Sequence, residues 1–242
     1  MEAAVTSSTK LFLLSNPQNP LGRVFSKEEI LQLAEFCERH DLILISDEIH
    51  CDLILEEERT PHFTALQLPE RYAVRTITLL SPSKTYNIAG MGYAYAVIPD
   101  APLRRRFTSR RGHTLAEITC LGYCSAEAAY RHGEPWRRQL IAYLRANRDL
   151  LTTFCREKLG KVIMPDMEAT YLAWLDFHPT GITDPSQFLE KEAGLFISDC
   201  RSFGAPGYAR LNFGCSRALL EDAIDGIGDF RVVDLAHFTH AC

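Results

Sequence analysis

Three groups of polar side chains follow apolar segments of the sequence in the same way. Asn16 and Asn19 follow the first segment, Asp47 ends the second, and Lys84 lies in a Ser-x-Ser-Lys turn after the third. If the segments are parallel strands, these groups meet at the carboxyl edge of one sheet, where open α/β folds bind ligands. A partly buried lysine amine with a lowered pKa can condense with a carbonyl group to form a Schiff base. The pattern therefore favours carbonyl chemistry at this edge.

Each of these groups also has an ordinary structural interpretation. A lysine in a polar loop is commonly only solvated, and a carboxylate at the end of a buried strand commonly caps a helix. The Asn-Pro-x-Asn-Pro-x-Gly loop at residues 16–22 makes the combination of the three groups much more specific than any one of them.

The first half of the chain has the pattern of an α/β fold. A helix begins after Ser26, which forms a capping box with Glu29, and its apolar residues fall on one face. Four apolar runs with continuous hydrophobicity predict strands covered on both sides: residues 10–14, 42–46, 74–80 and 92–98. This order of elements predicts a mostly parallel sheet with flanking helices.

The second half has a different pattern. Helices are predicted at residues 103–111, 114–131, 134–159 and 185–193, and another helix is capped by Ser216. Shorter strands are predicted at residues 161–164, 171–177 and 209–213. We interpret residues 1–133 as a large α/β domain, and residues 134–242 as a bridging helix followed by a smaller α+β domain.

Four motifs occur in one order along the chain. They are SNPQNPLG at residues 15–22, SDEIH at 46–50, SPSKTYNIAG at 81–90 and RLNFG at 210–214. In this order and spacing the chain resembles fold-type I pyridoxal-phosphate enzymes of the class I/II aminotransferase superfamily. It resembles most the carbon–sulfur lyase branch, the cystathionine β-lyase type, from residue 10 to about residue 230. The resemblance implies part of the pyridoxal-phosphate transferase fold, with pyridoxal 5′-phosphate as the cofactor.

The resemblance also implies roles for residues of the first three motifs. Lys84 would bind the cofactor aldehyde covalently and act as the catalytic base. Asp47 would pair with the ring nitrogen and keep it protonated. Asn19 would donate to the phenolic oxygen and contribute to the substrate site, and its peptide bond to Pro20 is often cis in the family. Ser81 would contact the phosphate, and Ser83 is included with the cofactor-binding residues.

Two further residues define the substrate and the reaction. The resemblance implies that Arg210 grips the α-carboxylate of an amino-acid substrate as a bidentate fork, which a lysine would not reproduce. His50 is counted with the cofactor-binding residues. It stands where the wider fold often has a tyrosine, and Asp-Glu-Ile-His is the form typical of the lyase branch. We therefore expect cleavage of cysteine S-conjugates or cystathionine to a thiol, pyruvate and ammonia. An aminotransferase and an inactive binding or regulatory subunit are the alternatives.

Members of the family carry a long segment before the Asn-Pro strand, and this chain starts almost at that strand. The resemblance implies that the segment supplies the helix N-terminus that binds most of the phosphate, an aromatic ring stacked on the cofactor, and flanking strands. We therefore expect a truncated product, a fragment or one part of a split protein, with at least one exposed sheet edge. The resemblance implies a homodimer for the full-length chain.

Composition excludes several other classes of protein. Lys and Arg total 26 against 31 Asp and Glu, a formal net charge of −5, which argues against nucleic acid as a partner. The sequence shows neither a signal peptide nor an apolar run long enough for a membrane span, so we expect a cytoplasmic protein without a membrane partner. Eight scattered cysteines predict reduced, mostly buried thiols. No metal site is predicted, because Cys120 with Cys124, and the tail residues His237, His240 and Cys242, are incomplete ligand sets.

Overall fold

The computed structural model describes residues 1–228, and the chain divides into two compact units. Unit 1 comprises Met1–Gln18 and Arg23–Gln139. Unit 2 comprises the short segment Asn19–Gly22 and the chain from Leu140 onward. The Asn-Pro loop therefore leaves unit 1 at residue 19 and returns to it at residue 23.

Unit 1 is built on a four-stranded sheet in the order β1-β2-β3-β4. The strands are β1 (Leu11–Ser15), β2 (Ile43–Asp47), β3 (Thr76–Leu80) and β4 (Tyr95–Val97). The first three are parallel, and β4 runs antiparallel to β3. The predicted mostly parallel sheet is confirmed, although β4 is shorter than the predicted 92–98. It starts late because Gly92, at φ 62°, caps a turn of 3₁₀ helix over Ala89–Met91.

The register of the sheet brings its carboxyl ends together. Ser15 on β1 is paired with Asp47 on β2, and Asp47 is paired in turn with Leu79 on β3. The backbone N–H of Asn16 extends this ladder by donating to the Asp47 carbonyl at 2.9 Å. The loops after β1, β2 and β3 consequently begin at one edge of the sheet, as the sequence predicts.

Four helices belong to unit 1: α1 (Lys27–Arg39), α2 (Glu70–Ala73), α3 (Ala101–Arg111) and α4 (Cys120–His132). The predicted capping box at the start of α1 is present, since Ser26 accepts from Glu29 N and the Glu29 carboxylate accepts from Ser26 N. Helix α4 begins later than residue 114, so that prediction is wrong at its start. The Thr119 hydroxyl accepts from Gly122 N at 3.1 Å and caps the helix there.

The core of unit 1 lies under α1. The apolar face of this helix packs with β1, β2 and α2 in one buried cluster that includes Ile30, Leu14, Leu44 and Tyr72. Strand β1 lies at one edge of the sheet, and its Leu11 and Leu13 side chains are 54% and 71% exposed. An exposed apolar edge of this kind is a site for pairing with another strand.

Unit 2 has a three-stranded antiparallel sheet in the order β5-β7-β6. Its strands are β5 (Leu172–Asp176), β6 (Ser198–Asp199) and β7 (Tyr208–Asn212). Helix α5 (Glu134–Glu157) starts in unit 1 and continues into unit 2, followed by α6 (Pro185–Ala193) and α7 (Arg217–Gly228). The buried Asn147 amide of α5 donates to the carbonyls of Phe213 and Cys215, which fixes the segment after β7.

In unit 2 one predicted strand is absent and one observed strand was not predicted. The predicted strand at 161–164 is wrong, because only Ile163 forms an isolated bridge, with Asp176. Pro165 follows closely and has no N–H with which to extend a ladder. Strand β6 was not predicted, since two residues are too few to show a pattern.

The cysteines are less buried than expected. Of the seven free cysteines in the described part, Cys37, Cys155 and Cys200 are buried, Cys51 and Cys215 are half-buried, and Cys120 and Cys124 are exposed.

No group of three or more metal-ligating side chains occurs within residues 1–228, and His237, His240 and Cys242 lie outside this range. None of the described helices has the length and apolar content that a membrane crossing requires.

Candidate functional site

Asp47 is the last residue of β2 and is half-buried at the carboxyl edge of the unit 1 sheet. Its Oδ1 accepts from the backbone N–H of Ile49 at 3.2 Å, which orients the carboxylate. Within residues 1–228 this is the side chain's one hydrogen bond, so Oδ2 remains available to a donor. Asp47 therefore caps the turn after β2 and can also bind a protonated ring nitrogen.

Glu48 anchors the segment that follows. Its carboxylate is fully buried and accepts hydrogen bonds from Ser46 Oγ at 2.9 Å and from Ala65 N at 2.7 Å. Its other oxygen lies 3.0 Å from His62 Nε2. These contacts fasten residues 62–65 to the end of β2. Sequence reasoning missed this role, because nothing in the sequence connects Glu48 with a histidine 14 residues later.

His50 lies in the turn after β2 and is 4% exposed. Its carbonyl accepts from the backbone N–H of Leu53 at 2.9 Å, and the Glu48 carbonyl accepts from Cys51 N at 2.9 Å. The turn is thus held by its backbone as well as by the Glu48 side chain. His50 is in the same turn as Asp47, as the motif predicts.

The loop after β3 carries Ser81, Ser83 and Lys84. Ser81 Oγ accepts from Ser83 N at 3.1 Å, lies 2.7 Å from Ser83 Oγ and donates to the Tyr93 carbonyl at 2.6 Å. Both serines are buried, and their hydroxyls are engaged within the loop. Contact with a phosphate therefore requires these hydrogen bonds to exchange.

Lys84 differs from its neighbours in being exposed, whereas Ser83 and Thr85 are buried. This exposure matches the ordinary interpretation of a solvated loop lysine. Its ammonium group makes no hydrogen bond or ion pair with any residue of the described range. The buried Thr85 hydroxyl also lacks a hydrogen-bond partner there. The serines before Lys84 are therefore held by hydrogen bonds within the loop, whereas the Lys84 side chain is exposed.

Arg210 lies in the middle of β7 in unit 2. One guanidinium nitrogen, Nη1, donates to Asn19 Oδ1 at 3.0 Å, and Nη2 donates to Ser198 Oγ at 3.2 Å. The third nitrogen, Nε, is buried and has no hydrogen-bond partner among residues 1–228. The neighbouring Cys200 thiol is kept neutral, since burial raises its pKa to about 11 although Arg210 opposes the shift.

The segment Asn19–Gly22 brings the Asn19 side chain to Arg210. The Gly22 carbonyl accepts from the backbone N–H groups of Glu168 and Ala169 at 3.0 and 2.9 Å, which ties the segment to unit 2. Gly22 has φ 67°, and a Cβ there would lie 2.8 Å from the Ala169 carbonyl oxygen. Only glycine meets both requirements. The peptide bond between Asn19 and Pro20 is cis.

The residues predicted for the site thus fall into two sets. Unit 1 holds Asp47, His50, Ser81, Ser83 and Lys84 in the loops after β2 and β3, and unit 2 holds Asn19 and Arg210 in direct contact. Besides Glu48, sequence reasoning missed Ser198 as a partner of Arg210, because β6 carries no recognisable pattern.

Comparison with known proteins gives the class first. The crystal structure of OvoB matches with a TM-score of 0.89 at 43% identity, over 93% of this chain and 59% of that one. Cystalysin from Treponema denticola, whose crystal structure contains pyridoxal 5′-phosphate, matches with a TM-score of 0.87 at 31% identity, over 93% and 58%. These neighbours confirm the predicted α/β fold as that of the pyridoxal-phosphate-dependent aminotransferase-fold enzymes.

The family follows from the sequence. Residues 1–227 match the sequence model of "Aminotransferase class I and II", and the chain belongs to this family. Cystathionine beta-lyase PatB of Bacillus subtilis (strain 168) is 37% identical over 222 residues, which are 90% of this chain and 57% of that protein. The chain therefore spans about three fifths of the length of the relatives it matches. The predicted resemblance to the lyase branch is confirmed.

The donor set of unit 1 fits the cofactor that the family uses. Asp47 has a carboxylate oxygen open to a pyridinium N–H, and Lys84 has an unpaired amine for an aldehyde. The two residues follow adjacent parallel strands, since Asp47 at the end of β2 is paired with Leu79 of β3, and Lys84 lies in the loop after β3. The serine hydroxyls fit a phosphate only after their present hydrogen bonds exchange.

Proposed function

We propose that this chain carries the catalytic residues of a pyridoxal-phosphate-dependent carbon–sulfur β-lyase. The substrates are cysteine S-conjugates or cystathionine together with one water, and the products are a thiol, pyruvate and ammonia. The proposal rests on two side chains that follow neighbouring strands. Asp47 has a carboxylate oxygen available to a donor, and Lys84 has an amine without an ion-pair partner in the described residues. The similarity to cystathionine beta-lyase PatB supports a lyase.

Each residue has a distinct task in this reaction. The cofactor, when bound, supplies an electron sink for the charge left on Cα after deprotonation. Asp47 would keep the ring nitrogen protonated, and the Lys84 amine would take the Cα proton. The bond between Cβ and sulfur would then break, and the sulfur would leave as a thiol. A lysine without an ion-pair partner among the described residues suits this task, because no neighbouring carboxylate has to be displaced when the side chain binds the cofactor aldehyde. His50 lies beside Asp47 as a further contact for the cofactor.

Arg210 selects and orients the substrate. Its guanidinium is held by Asn19 and Ser198, and its remaining N–H groups match the two oxygens of an α-carboxylate. Binding the carboxylate fixes which Cα substituent is presented to the base. We further propose that the enzyme acts in the cytoplasm and that its full-length form is a homodimer.

Product analysis tests this proposal. The purified chain is incubated with pyridoxal 5′-phosphate and S-methylcysteine, and pyruvate, ammonia and methanethiol are quantified. We expect the three products in equal amounts, with release abolished by Lys84→Ala and unchanged by Lys158→Ala, a lysine distant in sequence from the motifs. A new amino acid formed only when a 2-oxo acid is added would identify an aminotransferase. If no product forms from S-methylcysteine, either alone or with a 2-oxo acid, the result would contradict activity of this chain and favour a binding subunit.

A further inference from the structure

The Phe203 side chain of unit 2 is 44% exposed although it is a large aromatic ring. It ends the 3₁₀ turn Cys200–Phe203 that follows β6, and Gly204 closes this turn at φ 73°. The Arg210 guanidinium carbon lies 5.0 Å from the centre of the Phe203 ring. The Phe203 ring therefore contacts a cation although part of the ring is exposed.

Phe203 is itself held in place by the sheet of unit 2. Its ring meets the Trp174 indole edge to face, with centroids 6.1 Å apart. Trp174 lies on β5, is 7% exposed and stacks on Tyr208 of β7 at 5.0 Å. Edge-to-face and stacked pairs restrict ring orientation beyond simple burial. The three rings form a rigid support on which the guanidinium of Arg210 rests.

The hydrogen bonds of Arg210 complete this arrangement. A guanidinium has five N–H donors in a fixed plane, and the structure engages one on Nη1 with Asn19 and one on Nη2 with Ser198. Nε–H is buried and has no acceptor within residues 1–228. A buried N–H without an acceptor is unfavourable, and an acceptor supplied by a ligand would relieve this cost.

We propose that Phe203 and Ser198 are positioning residues for Arg210, which hold its guanidinium ready for a substrate carboxylate. This inference rests on the proposed function, which makes the carboxylate that of an amino acid. A phenyl ring suits the task because it attracts the cation through its face and offers no acceptor that would compete for the N–H groups. Ser198 restricts rotation of the guanidinium plane, because its hydroxyl accepts a hydrogen bond from Nη2 and not from Nη1.

Trp174 provides a readout that is independent of catalysis. The chain has two tryptophans, Trp136 and Trp174, and Trp136 lies in unit 1. In a Trp136→Phe background the fluorescence therefore reports on Trp174 beside Phe203. The probe is 3-(methylthio)propanoate, which has the carboxylate and sulfur chain of S-methylcysteine but lacks the amine. It is titrated into the chain without cofactor, with the methyl ester of the same acid as the uncharged control.

We expect saturable binding of the acid and none of the ester. Phe203→Leu keeps an apolar side chain but removes the ring, and it should raise the Kd about five- to tenfold. Phe203→Tyr restores the ring and should bind within about twofold of the parent. Ser198→Ala should raise the Kd about threefold, whereas Ser198→Thr keeps the hydroxyl and should restore binding.

Several results would overturn the inference. They are an unchanged Kd in Phe203→Leu, equal weakening in Phe203→Tyr and Phe203→Leu, and no binding of the acid by the parent chain. Thermal unfolding of each variant separates a loss of folding from a loss of positioning, since a purely structural role predicts a lower Tm with an unchanged Kd. A chain that binds the acid but releases no pyruvate from S-methylcysteine would contradict the proposed lyase and leave the positioning role standing.

Discussion

Lys84 in unit 1 and Arg210 in unit 2 are both cationic side chains of the candidate site, but their surroundings differ. Lys84 is exposed in a loop and makes no hydrogen bond or ion pair with residues 1–228, while the serines before it are tied to Tyr93. Arg210 lies within a strand, with an asparagine, a serine and an aromatic ring against its guanidinium.

This difference matches what each group would have to do in the proposed reaction. A base and covalent ligand must change its bonding during a reaction, so partners that hold it in one state would slow the reaction. A recognition group keeps the same charge throughout and gains from being fixed before the ligand arrives, because less entropy is then lost on binding. Unit 1 therefore fixes the loop and leaves the amine free, whereas unit 2 fixes the cation itself.

After the loss of product release in Lys84→Ala, the largest effect is expected at Asp47. Asp47→Asn keeps the size and the acceptor for Ile49 N but removes the charge that holds a proton on the cofactor ring nitrogen. We expect pyruvate release from S-methylcysteine to fall about 10²- to 10⁴-fold. Urea unfolding should be little changed, because the capping contact survives. Full activity of Asp47→Asn would show that Asp47 is not one of the cofactor-binding residues of unit 1.

A second change tests the support of the unit 1 loop. Glu48→Gln leaves one neutral amide where a carboxylate accepts hydrogen bonds on both oxygens, from Ser46, Ala65 and His62. The free energy of unfolding should fall by about 1–3 kcal/mol, measured by urea denaturation. Glu35→Gln is the matched control on the exposed face of α1 and should be neutral. Equal stability of the two variants would show that the buried contacts of Glu48 contribute nothing to the free energy of unfolding.

Arg210→Lys tests carboxylate recognition by unit 2. A lysine keeps the charge but has neither the planar fork nor the contacts to Asn19 and Ser198. We expect the Kd of 3-(methylthio)propanoate and the KM of S-methylcysteine to rise about tenfold or more, with kcat changed much less. A fall in kcat with KM unchanged would mean that Arg210 acts on the reacting groups rather than in recognition.

The smallest effect concerns pH and a surface contact at the start of α5. Hydrogen bonds from Arg137 and then Arg138 hold the pKa of Glu134 at about 2, below its usual 4.5. This carboxylate therefore stabilises the fold fully above about pH 4.5, and the contribution disappears as pH falls towards 2. Because the side chains are partly exposed, we expect about 0.5–1 kcal/mol. Glu134→Gln should remove this part of the pH dependence of urea unfolding, and an unchanged pH profile would contradict the assignment.

Features defined by neighbours in sequence could be predicted well. The capping box of Ser26 and Glu29, the three parallel strands and their shared edge all follow from local patterns, because capping and strand burial depend on residues a few positions apart. The motifs also placed Asp47 and Lys84 at this edge. The Asn19 contact with Arg210 was not predicted, although both residues were predicted for the site.

Features that depend on distant partners could not be predicted. Residues 161–164 have the composition of a strand, but the structure gives them one bridge only. The Glu48–His62 contact and the Phe203 ring over Arg210 join residues that no pattern connects. The sequence left open whether Lys84 is solvated or partly buried, since an apolar strand before a loop does not determine which loop side chain reaches solvent.

The most direct test of the account is to locate the cofactor on the chain. The purified protein is mixed with pyridoxal 5′-phosphate, reduced with borohydride, digested and mapped by mass spectrometry, with Lys84→Ala and Lys158→Ala treated in parallel. We predict a visible absorbance band before reduction and a single modified peptide containing Lys84, absent only from Lys84→Ala. Label spread over several surface lysines, or equal labelling of the Lys84→Ala variant, would contradict the claim that unit 1 presents Lys84 to the cofactor.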